Sequence, residues 1–360
     1  MSAPSGWREL TAFPTYGPET FVTAIAIGPD SFVAVGWSRD GDDTNGRIWK
    51  STNGEDWVAQ PDAAFAGLTI EALTYNGTDF FAFASAPTTV WKSADGAAWQ
   101  HVPISVFGGE LGEFDAFTGG YVSEAATSDA YLYGAGGTTV FAGDIACNCV
   151  AAWRSTDGID WAQSIVVEDD TFLDMAVLPG ANGAPDLTFV ITYGTYIGQG
   201  FRYSTDFDTW QEPGFTLDEG SGLLDVAHDG QHLVAVGYAG ENYDEAIAMV
   251  TDGTTWSTGS IDATIGGPAE QVTWGGGVFV AIGSGTGPGA VSWTSLDGTD
   301  WTRGPDVHHR PLDDPGPEPG DDPFQRREVA ASQSGIIVAQ TFADGLHVWF
   351  TPMTVFMALP

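Results

Sequence analysis

The stretch Ser295–Trp301 reads Ser-Leu-Asp-Gly-Thr-Asp-Trp, and its pattern recurs along most of the chain. In each copy an aspartate or asparagine follows a hydroxyl residue, and a tryptophan stands four positions after the aspartate or asparagine. The other copies are Ser51–Trp57, Ser93–Trp99, Ser155–Trp161, Ser204–Trp210 and Thr251–Trp256. The Ser204 copy lacks the glycine, and the Thr251 copy lacks the serine. The pattern indicates a hairpin turn that one fold uses repeatedly.

Each residue type in the pattern has a physical task in such a turn. The Asp or Asn oxygen accepts hydrogen bonds from backbone N–H groups two or three residues later, and the Ser hydroxyl can do the same. Glycine takes the positive φ that the turn requires. The tryptophan begins the outgoing strand and covers the hairpin with a large apolar ring. The residues predicted to build the turns are Ser51, Asn53, Trp57, Ser93, Asp95, Trp99, Ser155, Asp157, Trp161, Ser204, Asp206, Trp210, Asp252, Trp256, Ser295, Asp297 and Trp301.

The turn tryptophans lie 42 to 62 residues apart, a period typical of one four-stranded propeller blade. Two β-type runs precede each turn; in the third unit we interpret them as Asp129–Tyr133 and Thr138–Ala142. A seventh set of runs follows the last turn. The sequence therefore predicts an all-β, seven-bladed β-propeller of four-stranded antiparallel blades in a single domain over residues 1–360. The predicted blades are residues 21–60, 68–102, 129–164, 172–213, 222–258, 269–304 and 326–351, with an N-terminal strand at 5–12.

The seventh blade needs an outer strand, and two segments could supply it. Gly6–Leu10 contains Trp7 and resembles the strand that follows each turn, so it could pair with the last strand of the chain. Met353–Leu359 is the competing segment, with Met357 in the tryptophan position. We favour the N-terminal strand. Closure of the ring in this way removes exposed sheet edges, which are aggregation sites.

The turns resemble the Asp-box (BNR) repeat of sialidase-like β-propellers, although three residues separate Asp from Trp here and that family usually has four. The resemblance covers nearly the whole chain. In sialidases, three arginines clamp the substrate carboxylate, a Tyr–Glu pair acts as nucleophile, an aspartate acts as acid, and an Arg-Ile-Pro motif occurs early in the chain. No Arg-Ile-Pro occurs here, and Arg47, Arg154 and Arg202 lie beside the turns. The resemblance therefore implies the propeller without the sialidase catalytic set.

The chain is strongly acidic, with 48 Asp and Glu against 11 Lys and Arg and a net charge of −37. Such a charge repels nucleic-acid phosphates and anionic membrane surfaces, and it suits a basic partner or cations. The first residues lack a basic segment followed by an apolar segment, so the sequence predicts no classical signal peptide. No apolar run approaches the length that spans a membrane.

Strand alternation places the turns at one end of every blade. The connections from second to third strand, and from outer strand to the next inner strand, lie at the other end, here called the long-loop end. Every long insertion falls there, and functional residues are often on such loops. The residues predicted to contact a ligand or partner are Asp40, Asp42, Asp43, Glu110, Glu113, Asp169, Asp170, Glu241, Asp244, His308 and His309. Asp40–Gly46 also has the composition of a calcium loop, but Thr44 stands where the third Asp or Asn of an EF-hand pattern would be. The sequence therefore favours a polar hairpin loop and no cofactor, with calcium as the alternative.

These observations favour a non-enzymatic binding or structural propeller that contacts a protein or a host-surface glycan through its long-loop end. A component of a bacteriophage virion, such as a tail or surface protein, would reach the outside without a signal peptide. A cytoplasmic assembly propeller is a second explanation. A glycoside hydrolase or lyase is the alternative from another class, because glycosidases need only two suitably spaced carboxylates and the loops are rich in them.

Overall fold

The computed structural model describes residues 6–61, 63–85, 88–104, 121–142, 145–194, 198–240, 245–261, 267–284, 290–307, 327–342 and 345–357. The described residues form seven antiparallel sheets, and each sheet is a meander of strands consecutive in the chain except where the N-terminus joins. The predicted fold class is confirmed: the chain is an all-β, seven-bladed propeller.

The first four sheets follow the chain from residue 20 to residue 204. The first contains β2 (Thr20–Ile27), β3 (Phe32–Asp40), β4 (Asp43–Ser51) and β5 (Trp57–Ala59). The second contains β6 (Thr69–Tyr75), β7 (Phe80–Ser85), β8 (Thr89–Ser93) and β9 (Gln100–Val102). The third contains β10 (Tyr121–Thr127), β11 (Leu132–Ala142), β12 (Ile145–Ser155) and β13 (Ala162–Glu168). The fourth contains β14 (Asp170–Leu178), β15 (Leu187–Gly194) and β16 (Gly198–Ser204).

The last three sheets complete the set, and the first strand of the chain belongs to the seventh. The fifth contains β17 (Gly222–His228), β18 (Leu233–Ala239), β19 (Glu245–Thr251) and β20 (Trp256–Gly259). The sixth contains β21 (Ala269–Gly275), β22 (Val278–Ser284), β23 (Ala290–Ser295) and β24 (Thr302–Arg303). The seventh contains β25 (Arg327–Ala331), β26 (Gly335–Phe342), β27 (Gly345–Pro352) and β1 (Arg8–Glu9). Short helices are the 3₁₀ segments Ala63–Phe65 and Ala181–Gly183 and the helix α1 (Met353–Met357).

The chain divides into two compact units, each with its own core. The first unit comprises Met1–Val22, Ser51–Val58 and Gly214–Pro360, and the second comprises Thr23–Lys50 and Ala59–Pro213. Apolar residues of the second strand in each sheet are buried on both faces, as in Phe80–Ala84 and Val278–Ile282. Neighbouring sheets within a unit therefore pack face to face, so each core lies between sheets.

The N-terminal strand closes the seventh sheet, as the sequence predicts. Arg8 pairs with Phe350 and Glu9 with Trp349 in antiparallel register. The alternative outer strand at Met353–Leu359 is wrong, because residues 353–357 form α1. Trp7 instead packs against the Phe356 ring of this helix, with the ring centroids 5.9 Å apart.

In the third sheet, the first two strands differ from the predicted ones. The inner strand is β10 at Tyr121–Thr127. The second strand runs unbroken through Gly134, Gly136 and Gly137, which separate the two predicted runs Asp129–Tyr133 and Thr138–Ala142. These glycines accommodate a close approach between strands. A Cβ atom at Gly136 would collide with the carbonyl oxygen of Tyr121.

The fourth sheet has three strands in the described part of the chain, where four were predicted. After the turn at residue 210, the outer segment makes a single antiparallel bridge between Tyr203 and Gln211. Pro213 follows two residues later. Because proline has no backbone N–H, it cannot continue the ladder.

Candidate functional site

The Ser–Asp turns hold their backbone with side-chain oxygens. In the third turn, Asp157 Oδ1 accepts hydrogen bonds from the N–H groups of Ile159 and Asp160, at 2.8 and 3.0 Å. Ser155 Oγ accepts from the N–H of Gly158 at 2.8 Å and donates to Asp157 Oδ1 at 3.0 Å. The corresponding oxygens of Asn53, Asp95, Asp206, Asp252 and Asp297 also accept backbone N–H groups. These polar side chains therefore stabilise the turn end of the first six sheets.

The hydrogen bonds favour the ionised form of the turn aspartates. The N–H of Ile159, followed by that of Asp160, holds the pKa of Asp157 below its usual range. The N–H groups of Thr209 and Asp208 lower the pKa of Asp206 to about 2. Stability from such groups is present above the unfolded pKa and is lost as pH falls through the folded pKa.

The first turn suggests a control variant for a test of these hydrogen bonds. There Asn53 replaces the aspartate, and its side-chain oxygen accepts hydrogen bonds from the equivalent N–H groups. We expect Asp157→Ala to lower the free energy of unfolding by about 1 kcal/mol, since the turn N–H groups lose their acceptor. Asp157→Asn should retain most of the stability at neutral pH and should lose less stability on acidification below pH ~4. Urea unfolding of the three proteins at two pH values measures both effects. Equal stability of the Ala variant and the wild type would contradict the assignment.

The long insertion predicted at Ser38–Gly46, which contains Asp40, Asp42 and Asp43, is a tight hairpin instead. β3 extends to Asp40 and β4 begins at Asp43, so only Gly41 and Asp42 form the turn. Gly41 has φ 64°, which a two-residue hairpin connection requires. The three aspartates are exposed. Among the described residues, no group of three or more His, Cys, Asp or Glu side chains is arranged to hold a metal ion.

Asp169 and Asp170 occupy the connection between the third and fourth sheets. Asp169 is exposed with φ 59°, and it alone separates β13 from β14. Asp170 is buried, and its Oδ2 accepts a hydrogen bond of 2.7 Å from the hydroxyl of Thr192. Because this carboxylate is buried and already hydrogen-bonded to Thr192, it stabilises the sheet and does not face a ligand. The remaining predicted contacts lie outside the described residues: Glu110, Glu113, Glu241, Asp244, His308 and His309.

A β-bulge near the long-loop end interrupts the inner strand of five sheets. The bulges lie between Ile70 and Ala72, Val122 and Glu124, Phe172 and Asp174, Leu223 and Asp225, and Ala269 and Gln271. A bulge leaves a backbone group without its ladder partner. Beside the bulge of the sixth sheet, the N–H of Val272 donates to Oδ2 of Asp225, in the inner strand of the fifth sheet, at 2.6 Å.

An ion pair joins the inner strands of the sixth and seventh sheets. Glu270 Oε2 lies 2.7 Å from Arg327 Nη1, and Arg327 Nε donates to Gln340 Oε1 at 3.0 Å. Ser284 donates to the other oxygen of Glu270. Because Arg327 is almost fully buried, its charge requires this carboxylate. The inner-strand carboxylates Asp225 and Glu270 thus have structural partners, which the sequence did not predict.

His228 ends β17 beside the turn to the second strand, and its Nδ1 atom is buried with no hydrogen-bond partner among the described residues. Burial lowers the pKa of this imidazole, against the opposing charge of Asp229. Burial therefore favours the neutral imidazole in the folded protein. The stability that it contributes is present above the unfolded pKa of about 6.5 and is lost as pH falls through the lower folded pKa. We expect His228→Gln to flatten the dependence of melting temperature on pH between about 7 and 5. Parallel slopes for the variant and the wild type would contradict this expectation.

Three exposed apolar side chains lie at the long-loop end of the third and fourth sheets. Tyr121 is 46% exposed, Leu173 is 39% exposed and Tyr193 is 51% exposed. Tyr121 begins β10, Leu173 is the bulge residue of β14, and Tyr193 stands one residue before the end of β15. Tyr121 was missed because the third blade was predicted to begin at residue 129. Leu173 and Tyr193 lie within the predicted fourth blade, where nothing in the sequence marks them as exposed. The alternation of Tyr121 with the buried Val122 is the signal that could have found this strand.

The protein is a β-propeller of seven sheets. At one end of the sheets the turn side chains are hydrogen-bonded to the backbone, and at the other end aromatic side chains are exposed. The long-loop end is therefore the candidate binding surface. No protein-family model matches the sequence, and no curated protein matches it. No helix in the described ranges has the length and apolar character needed to cross a membrane.

Solved structures show similarity to the fold. YCF48 bound to the D1 peptide is 13% identical with a TM-score of 0.54, and the match covers 100% of this chain and 99% of that one. The β-propeller domain of the Trilobed protease from Pyrococcus furiosus is 9% identical with a TM-score of 0.52, covering 96% and 100%. A Trypanosoma rangeli sialidase in complex with a difluoro-nononic acid is 10% identical with a TM-score of 0.57, covering 98% of this chain and 58% of the sialidase. Identities this low indicate the fold alone, and the neighbours differ in function.

Proposed function

We propose that the chain is a non-enzymatic binding propeller that holds a protein segment or a glycan at its long-loop end. The contrast between the two ends of the sheets supports this proposal. At the turn end, Ser and Asp side chains are occupied by the backbone, as in Ser155 and Asp157. At the long-loop end, connections vary in length and the aromatic side chains of Tyr121 and Tyr193 meet solvent. Neighbours of this fold bound to a peptide or to a sugar acid add support for either ligand class. We also propose that residues 1–360 form a single domain and that the turns are Asp-box repeats.

Blocking one end of the sheets at a time tests this proposal. Purified protein is applied to immobilised peptides and glycans after a large polyethylene glycol has been coupled to a cysteine introduced at Asp42→Cys or Leu296→Cys. Asp42 lies in the β3–β4 hairpin at the long-loop end, and Leu296 lies in a Ser–Asp turn. We expect the polymer at residue 42 to abolish binding and the polymer at residue 296 to leave it intact. Absence of any binding, or equal loss with both polymers, would overturn the proposal.

The narrower form of this proposal is a component of a bacteriophage virion, such as a tail or surface protein that contacts the host. This assignment rests on analogy of repeat type, and the acidic surface agrees with exposure to solvent. Gel filtration with light scattering of native material provides the test. Co-migration with a large particle is expected, and a free species of one chain mass would contradict the virion role while leaving the binding proposal open to the polymer test.

A further inference from the structure

The two cysteines of the chain, Cys147 and Cys149, both belong to strand β12. Cys149 is disulfide-bonded, and Cys147 is the one other cysteine in the sequence, so these two residues form the bond. Only Asn148 separates them, and the bond therefore closes a very short loop. Short loops restrict the unfolded chain less than long ones, so this disulfide stabilises the fold less than a link between distant segments would. Its place in the sequence therefore indicates a role other than a structural cross-link.

Both cysteines lie in the regular ladder of an extended strand. The register pairs Cys149 with Thr138 and Cys147 with Val140 of β11, without interruption. Residues two apart in a strand are about 6.6 Å from each other, since each residue advances the strand by about 3.3 Å. Disulfide-bonded Cα atoms are usually about 4.4–6.8 Å apart, so strand geometry holds this pair near the upper limit. Disulfides near the limits of their geometry are more easily reduced.

The disulfide lies where the third sheet changes from four strands to two. In the part of the chain that the structure describes, Gly137 is the last residue of β11 to pair with β10, and Cys149 is the last residue of β12 to pair with β13. Residues 138–142 and 145–148 then pair only with each other in this sheet. Cys147 belongs to this two-stranded part, whereas Cys149 is buried at its base. A thiol can therefore approach the bond from the Cys147 side.

The residue opposite Cys149 carries a buried hydroxyl. Thr138 is 5% exposed, and its Oγ1 atom has no hydrogen-bond partner within the described ranges. Side chains directly opposite each other on neighbouring strands share a face, with Cβ atoms about 4.5–5.5 Å apart. A buried hydroxyl without a partner costs free energy. Reduction would supply the missing partner, because the Cys149 thiol can donate its S–H to this oxygen, whereas the disulfide sulfur has no hydrogen.

We propose that Cys147 and Cys149 form a reversible dithiol–disulfide pair that exchanges with thiol reductants, and that Thr138 stabilises the reduced form. A reductant thiolate attacks the Cys147 sulfur, and the Cys149 sulfur leaves and takes up a proton. A second reductant thiolate attacks the reductant sulfur of the mixed disulfide, so the Cys147 sulfur leaves and takes up a proton. The protein gains two electrons and two protons, and the reductant becomes its own disulfide. This redox site does not depend on the proposed binding function.

Thiol trapping on the native protein tests the inference. The protein is equilibrated in buffers with different ratios of reduced to oxidised glutathione, quenched with acid, alkylated and analysed by mass spectrometry. We expect at least about half of the protein to be reduced in a large excess of reduced glutathione, a thiol pool that structural disulfides resist. The bond should form again when the ratio is reversed. Persistence of the bond in the native protein at every ratio would overturn the inference, and reduction only after unfolding in urea would identify a protected structural link.

Thr138→Val tests the role of the hydroxyl, because valine keeps the shape of the side chain and removes the oxygen. The equilibrium constant for reduction should fall about three- to tenfold, the effect of one lost hydrogen bond in the reduced form. Thr351→Val is the matched control, since Thr351 Oγ1 is also buried without a partner in the described chain but lies in β27. This variant should change the constant by less than about twofold. Circular dichroism melting confirms that both variants are folded. Equal constants for Thr138→Val and the wild type would overturn the role of Thr138.

Discussion

Replacement of Phe207 by alanine should lower the free energy of unfolding by about 3–5 kcal/mol, the range for loss of a buried phenylalanine. Phe207 occupies the position that glycine holds in the other Ser–Asp turns, and it keeps a positive φ of 71°. Its ring is buried, with the Tyr133 ring centroid at 5.9 Å and the Arg154 guanidinium carbon 4.6 Å from its own centroid. The side chain thus fills the space between the third and fourth sheets, and alanine would leave a cavity.

Glycine at residue 207 separates the two effects of the substitution. Phe207→Gly creates the same cavity but relieves the left-handed backbone, which costs an L-residue roughly 1–2 kcal/mol. The glycine variant should therefore be more stable than the alanine variant by about 1 kcal/mol and still less stable than the wild type. The reverse control is Gly158→Phe, because a Cβ atom at Gly158 would lie only 2.7 Å from Phe81 and the ring would have no space. Chemical denaturation of all three variants gives the comparison. An alanine variant as stable as the wild type would show that the ring contributes nothing, because alanine keeps the left-handed backbone and removes only the ring.

Local turn chemistry made the repeats of this fold predictable from sequence. Residue types at fixed offsets specify the turn, and the observed contacts of Ser155 and Asp157 are those expected from their side-chain oxygens. The third inner strand was misassigned for a related reason. Gly134, Gly136 and Gly137 read locally as a turn, whereas the bulge and the close approach of Tyr121 explain them. Only the pairing of distant segments distinguishes the two interpretations.

The candidate site was less predictable, because burial and partners decide the role of an acidic residue. The sequence could not distinguish Asp170, which is buried against Thr192, from its exposed neighbour Asp169. Nor could it indicate that Glu270 neutralises a buried arginine far along the chain. Tyr121 and Tyr193 are 72 residues apart in sequence, and only the strand register shows that they occupy the equivalent cross-strand position of two neighbouring sheets. Composition identified an acidic surface, and the fold determines which apolar groups are exposed within it.

Trp7→Ala should destabilise the protein by about 3–5 kcal/mol, because this side chain attaches the strand that completes the seventh sheet. Trp7 is buried against Phe356, and its Nε1 donates to the carbonyl oxygen of Pro305 at 3.2 Å. β1 itself has only two residues in the ladder, supplemented by a 2.7 Å bond from the N–H of Leu10 to the carbonyl of Val348. So short a strand cannot remain paired through its backbone bonds alone, and we expect the tryptophan to supply most of its attachment.

Loss of this attachment should have a second consequence beyond lower stability. Release of β1 exposes the edge of β27, whose free N–H and C=O groups can pair with another chain. Trp7→Ala should therefore aggregate on mild heating, before global unfolding, as measured by light scattering. Trp7→Phe keeps an aromatic ring against Phe356 but loses the hydrogen bond and part of the buried ring, so a loss of about 1–2 kcal/mol, smaller than that of Trp7→Ala, is expected. Arg8→Ala removes only an exposed ion pair with Glu55 and should change stability by less than about 1 kcal/mol. Equal melting temperatures of Trp7→Ala and Arg8→Ala would mean that the attachment of β1 to the seventh sheet depends on the backbone ladder and not on the tryptophan.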